Sequence, residues 1–174
     1  MQSHDTDIEL FSLFTDDEIY DLWKQNNIGW YIAYGPAPLT KGIMPFSQRN
    51  LLKNIIETAD TVTQTQATLR FGHEVCVLPL ACLLELNNCA EQVENLDELD
   101  LHWQNYKIFP MGCNIQLIFY RPKKGKAGDI LVKALLNERE ATLPVATDQH
   151  PYYRWADLRQ YYLDKLAKFD EMNK

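Results

Sequence analysis

Residues 67–86, ATLRFGHEVCVLPLACLLEL, decide the reading of the fold. Residues 67–71 favour β structure, Gly72 lets the backbone turn, and Val75, Val77, Leu78, Leu80, Ala81, Leu83 and Leu84 continue as a nearly all-apolar helix. The pattern predicts a strand, a one-glycine turn and a helix. His73 and Glu74 stand at the junction. A helix starting there points unpaired N–H groups and the positive end of its dipole outward, which suits an anion. In open α/β sheets, ligands bind at this end of a strand.

Working outward toward the N-terminus, Thr15 followed by Asp16, Asp17 and Glu18 is a helix start, with a capping hydroxyl and acids in the first turn. That helix is expected to end near Asn26 to Gly29. The segment IGWYIAYGPAP then predicts a short buried helix followed by a loop, because Gly35, Pro36 and Pro38 break it. Ser47 reads as another cap, with Leu51, Leu52, Ile55, Ile56 and Ala59 at helical spacing up to about Asp60.

Toward the C-terminus, the acidic patch EQVENLDELD reads as a solvated loop or helix face. Residues 115–120, IQLIFY, read as a strand ending at Arg121-Pro122, and KKGK at 123–126 as a turn. Residues 129–136 and 141–145 predict a hairpin turning at 137–140. From Trp155, the residues Leu158, Tyr161, Tyr162, Leu166 and Phe169 share one face of a closing amphipathic helix. Helices followed by strand, helix, strand, hairpin and helix make an α/β or α+β pattern on a small sheet. Only about four strands can be found, and an apolar strand beside an apolar helix wants neighbours on both sides, so the sheet reads as missing a member.

Composition sets bounds on function. A chain of 174 residues, 46% hydrophobic, can bury one sizeable core. The charge of −7 is uneven: residues 1–100 hold 16 acidic and 5 basic residues, residues 101–174 hold 8 and 12. Bulk electrostatics therefore argue against a nucleic-acid partner. No apolar run reaches the roughly 20 residues of a membrane helix, so no membrane partner is expected. MQSHDTDIEL lacks the basic and apolar regions of a secretory signal. Cys76, Cys82, Cys89 and Cys113 show neither a CxxC pair nor zinc-finger spacing, and their disulfide state stays open.

Four chemistries can be weighed at the junction. His73-Glu74 begins like HExxH, but Val77 occupies the fifth position, so no metal site and no cofactor are expected. Cys76 lies three residues after His73, on an apolar helix that disfavours a thiolate. RFGHEV contains no serine for a hydrolase elbow. A phosphate site uses every polar group present: imidazole and helix N–H groups hold the phosphoryl group, and Glu74 gives a proton to the leaving oxygen. The helix N-terminus favours the carboxylate, so that role needs burial or a second anion such as the phosphate itself. The plainer alternative is a charged helix start with a hydrogen-bonded histidine.

These residues resemble the histidine phosphatases of the acid-phosphatase and phytase branch, including the multiple inositol polyphosphate phosphatases. The resemblance is to their C-terminal half. RFGHEVCVLPL is similar to the family's strand, glycine, histidine and carboxylate at a helix start. LFTDDEIYDLWK resembles its cap-domain helix, GCNIQLIFYR its next strand, and ILVKALLNEREATLP with PYYRWADLRQYY its closing hairpin and helix. The resemblance implies an α/β fold with a small mixed sheet and flanking helices, residues 1–65 forming a helical cap-like part and residues 66–174 the C-terminal half of the core. It implies that His73 and Arg70 bind phosphate and that His73 and Glu74 serve catalysis, Glu74 as proton donor, after a first histidine has attacked phosphorus. That nucleophile belongs to an RHGxRxP motif, and none of the four histidines here stands between an arginine and a glycine.

The expectation is therefore part of a phosphomonoesterase, lacking the nucleophile strand and inactive alone, with phosphate or a phosphate ester as ligand. The alternative is a non-catalytic assembly module that pairs with itself, as a homo-oligomer, or with a separately encoded N-terminal half. A third reading is an unrelated enzyme using His73 and Glu74 as an acid–base pair. The family is commonly exported, whereas the sequence shows no signal, so the compartment stays open.

Overall fold

Thr15 starts the first helix, α1 (Asp16–Tyr34), with a capping box: its hydroxyl accepts from the Glu18 amide at 3.3 Å, and the Glu18 carboxylate accepts from the Thr15 amide at 2.8 Å. This computed structural model describes residues 11–61, 67–122 and 130–172. The expected turn at 123–126 lies outside them, as does the start of the second predicted strand at Asp129.

The helix does not stop near Asn26 to Gly29 but runs unbroken to Tyr34, taking in the predicted short second helix. Local propensity at Asn26, Asn27 and Gly29 is overridden by tertiary contacts. The buried Asn27 amide donates to the Trp103 carbonyl at 2.9 Å and accepts from the Asn105 amide at 2.8 Å. One turn later, the hydroxyl of the buried Tyr31 accepts from the Val93 amide and donates to the Glu91 carbonyl. Gly35 is the C-cap, its amide donating to the Tyr31 carbonyl at 3.0 Å, and the position needs glycine because a Cβ there would stand 2.7 Å from that oxygen.

A short 3₁₀ segment, Met44–Gln48, leads into α2 (Arg49–Thr61), whose Leu52 and Ile56 are buried as the spacing predicts. The next apolar helix is α3 (Glu74–Leu83), buried from Leu78 onward. Two short helices follow, α4 (Leu99–His102) and α5 (Asn105–Ile108), so the acidic patch contributes a helical face and a loop. The chain closes with α6 (Trp155–Met172), which buries Trp155, Leu158, Tyr162 and Leu166 and stacks Phe169 on Phe46 with centroids 4.0 Å apart.

Four strands form the sheet: β1 (Ile115–Tyr120), β2 (Leu131–Leu136), β3 (Arg139–Ala141) and β4 (Tyr153–Arg154). β1 pairs with one edge of β2, while β3 and β4 pair with opposite ends of its other edge. Val132, Ala134 and Leu136 turn toward the core, opposite Phe119, Leu117 and Ile115 on β1. Helices and sheet share a single hydrophobic cluster that reaches from Tyr31 and Leu52 to Leu166.

Three expectations need correction. Residues 67–71 are exposed, irregular backbone: Leu69 is 74% and Phe71 93% exposed. A β-favouring run becomes a strand only against a paired neighbour, and none is present among the described residues. Without a strand there, every pairing seen is antiparallel and the small sheet is not mixed. The hairpin turns at Asn137 and Glu138 alone, with φ of 52° and 66° as a two-residue primed turn requires, so β3 begins two residues before the predicted partner.

On the surface between α1 and α4, the Tyr20 hydroxyl donates to Asp100, and Lys24 pairs with the same carboxylate at 3.1 Å. The Tyr20 hydrogen bond, helped by Lys24, holds the Asp100 carboxyl below its ordinary value. A depressed carboxyl stabilises the fold fully above the unfolded value of about 3.9 and loses that contribution as pH falls further. The melting temperature of wild type should therefore exceed that of Asp100→Asn at pH 7, and the gap should narrow progressively in scans taken at successively lower pH below about 3.9.

Candidate functional site

The first turn of α3 carries the junction residues. His73 is the N-cap, in extended conformation at φ −107° and ψ 170°, and its side chain makes no cap hydrogen bond. Its carbonyl accepts from the amides of Cys76 and Val77 at 2.9 and 3.1 Å. The amides of Glu74 and Val75 find no partner among the described residues. Those two donors, the positive helix end and the exposed His73 side chain all belong to the start of α3.

Glu74 is exposed at the first helical position. Its influence reaches Cys113, whose thiol is pushed up first by burial and then by the Glu74 charge. Gly72 has no left-handed backbone, and a Cβ there would make ordinary contact with Cys76 at 3.6 Å, so the turn does not depend on glycine.

Arg70 sits three residues before His73 but is held by α2: its guanidinium donates to Asn54 Oδ1 and Thr58 Oγ1, both at 2.8 Å. No sequence pattern points to these partners, which lie 16 and 12 residues away. His73 and Glu74 are brought together by the chain itself, whereas Arg70 is drawn toward a neighbouring helix.

The far end of α3 is fixed by groups that sequence reading did not single out. Glu85 takes a left-handed φ of 55°, its amide bonds to the Cys82 carbonyl, and the Leu86 amide bonds to that of Ala81. This is the Schellman arrangement with glutamate where glycine is usual. The next carbonyls are capped from α6: Lys165 Nζ donates to Leu83 and the Tyr162 hydroxyl to Leu84, both at 2.8 Å. Lys165 and the Tyr161 hydroxyl both hold the Glu85 carboxylate. The spacing of Tyr161, Tyr162 and Lys165 on one helical face is the signal that could have found them. Tyr162→Phe should cost about 1–3 kcal/mol, because the buried Leu84 carbonyl loses its donor, and urea unfolding would measure it.

All four cysteines are free. Burial pushes the Cys82 thiol well up and that of Cys89 to about 12. Among the described residues, no group of three His, Cys, Asp or Glu is placed to hold a metal ion. No helix among them is long and apolar enough to cross a membrane. A surface depression of about 350 Å³ lies elsewhere, lined by Ala146, Thr147, Asp148, Arg154 and Asp157.

No family model matches the chain, and no curated protein matches its sequence. Among solved structures, it is similar to the multiple inositol polyphosphate phosphatase of Bifidobacterium longum in its apo form, with a TM-score of 0.69 and 22% identity over 89% of this chain. It is likewise similar to that enzyme in complex with phosphate, with a TM-score of 0.67 and 20% identity over 84% of this chain. The chain shares the fold of part of these phosphatase structures. The chain spans about a third of the length of these structures, 34% and 32% of each. At this identity the likeness establishes the fold alone.

Proposed function

We propose that this chain is the C-terminal portion of a histidine-type phosphomonoesterase, with residues 1–65 as its cap-like part and residues 66–174 as the second half of its core. The observation that carries this reading is the first turn of α3, where an uncapped, exposed histidine, two free amides and an adjacent carboxylate converge within a phosphatase fold. His73 and the amides of Glu74 and Val75 hold phosphoryl oxygens. Arg70 adds positive charge if its side chain leaves Asn54 and Thr58. Glu74 gives its proton to the departing alcohol oxygen as the phosphorus–oxygen ester bond breaks.

The bond-forming partner is absent from the given sequence. No RHGxRxP motif occurs, so no histidine is available in that context to become phosphohistidine. The chain alone should bind phosphate weakly and turn over nothing, the ester class being phosphate monoesters such as the inositol polyphosphates named for its structural neighbours.

Hydrolysis of p-nitrophenyl phosphate and of phytate by the purified chain tests this directly. Release of phosphate at the rate of buffer alone is expected. Turnover that vanishes in His73→Ala would overturn the inactive reading and require a nucleophile within this sequence.

A second reading, an assembly module completed by a separate N-terminal half, is favoured by the exposure of Leu69 and Phe71 immediately before His73. Apolar side chains at 74% and 93% exposure are what a covering polypeptide would bury.

A further inference from the structure

The chain enters α3 through residues 67–72, which are irregular and make no backbone hydrogen bond among the described residues. Every side chain of this segment is exposed, so burial fixes none of it. Among the described residues, its hydrogen bonds are the two that the Arg70 guanidinium gives to α2.

The receiving face of α2 is well formed. Asn54 and Thr58 stand four residues apart and so lie side by side on the helix. The Thr58 hydroxyl gives its proton to the Asn54 carbonyl at 2.7 Å, which leaves its lone pairs for Arg70. One guanidinium nitrogen, Nη2, then donates to both Thr58 Oγ1 and Asn54 Oδ1. The helix is itself anchored on α6: Asp60 accepts from Arg159 and from the Trp155 indole, and Lys53 pairs with Asp170. A fixed element therefore holds Arg70, and Arg70 holds a segment that otherwise keeps its backbone freedom. His73 follows three residues later, with an extended backbone and no cap hydrogen bond from its own side chain.

From this geometry we propose that Arg70 is a positioning residue, whose clamp on Asn54 and Thr58 fixes the approach to α3 and thereby the placement of His73. The proposal rests on the phosphate reading only for what His73 does once placed. Clamping and direct charge are opposed services of one guanidinium, and they predict opposite effects of opening the clamp. A released Arg70 that served by its charge would strengthen phosphate binding, whereas the loss of a positioning clamp weakens it.

The double variant Asn54→Ala with Thr58→Ala tests it, since it removes both acceptors, leaves Arg70 and His73 in place, and keeps α2 helical because alanine is the best helix former. NMR relaxation on the labelled chain should show the backbone order parameters of residues 70–73 falling from about 0.85 to below about 0.6, with those of α2 and α6 unchanged. Inorganic phosphate should bind roughly three- to tenfold more weakly, the cost of a misplaced group. Asn54→Asp with Thr58→Ser keeps both acceptor oxygens and should restore order and affinity. In the alanine background, Arg70→Ala should add no further loss of order, because the clamp is already open. Unchanged order at residues 70–73 in the alanine variant overturns the proposal, as does phosphate binding as tight as wild type or tighter. A wild type that binds no phosphate defeats the phosphate reading alone, and the order parameters then decide the clamp by themselves.

Discussion

Trp103→Ala should lower stability by about 3–5 kcal/mol, the range for emptying a large aromatic from a packed core. For a chain of this size that corresponds to roughly 6–20 °C in melting temperature. Trp103 is 2% exposed, and its ring meets Tyr31 edge-on with centroids 5.0 Å apart. Its indole N–H donates to the Cys89 carbonyl at 3.1 Å. Truncation opens a cavity and also strands the backbone carbonyl of the buried Cys89. Calorimetry with Trp103→Phe alongside separates the two effects, since phenylalanine refills most of the volume without restoring the donor.

Asn27→Leu should cost about 2–5 kcal/mol despite its nearly equal size, because two buried backbone groups lose their partners at once. The Trp103 carbonyl loses its donor and the Asn105 amide its acceptor. Chemical denaturation would show the loss as a lower midpoint with an unchanged slope. Asn27 touches Trp103, so the double variant should destabilise by a different amount than the sum of the singles. An Asn27→Leu variant as stable as wild type would mean that the amide bridge is not what carries α1 past Gly29.

This bridge also explains where sequence reading falls short. Asn26, Asn27 and Gly29 resemble a helix end because the partners of Asn27 lie 76 and 78 residues away. Residues 67–71 resemble a strand because β propensity is expressed only on a paired surface, and here no neighbour is present among the described residues. The two-residue β4 carries too little pattern to be read at all. By contrast, the start of α1, the faces of α2 and α6, and β1 with most of β2 are legible, since local capping and periodicity decide them.

The candidate site divides along the same line. His73 and Glu74 can be placed at a helix start because adjacency and the apolar run after them are written in the sequence. The tether of Arg70 to Asn54 and Thr58 is not legible, because it depends on how α2 lies against the segment before α3. The capping of the C-terminal end of α3 by Tyr162 and Lys165 likewise exists only after α6 has docked.

The central claim is that the N-terminus of α3 is a phosphate site. Titration of inorganic phosphate into the isotopically labelled chain, followed by NMR at the His73 imidazole and the Glu74 and Val75 amides, tests it most directly. The predicted result is saturable shifts of these three signals, with the imidazoles of His102 and His150 unmoved and the amide shifts lost in His73→Ala. Signals at His73, Glu74 and Val75 that stay fixed through the titration, or that move no more than those of His102 and His150, would contradict it.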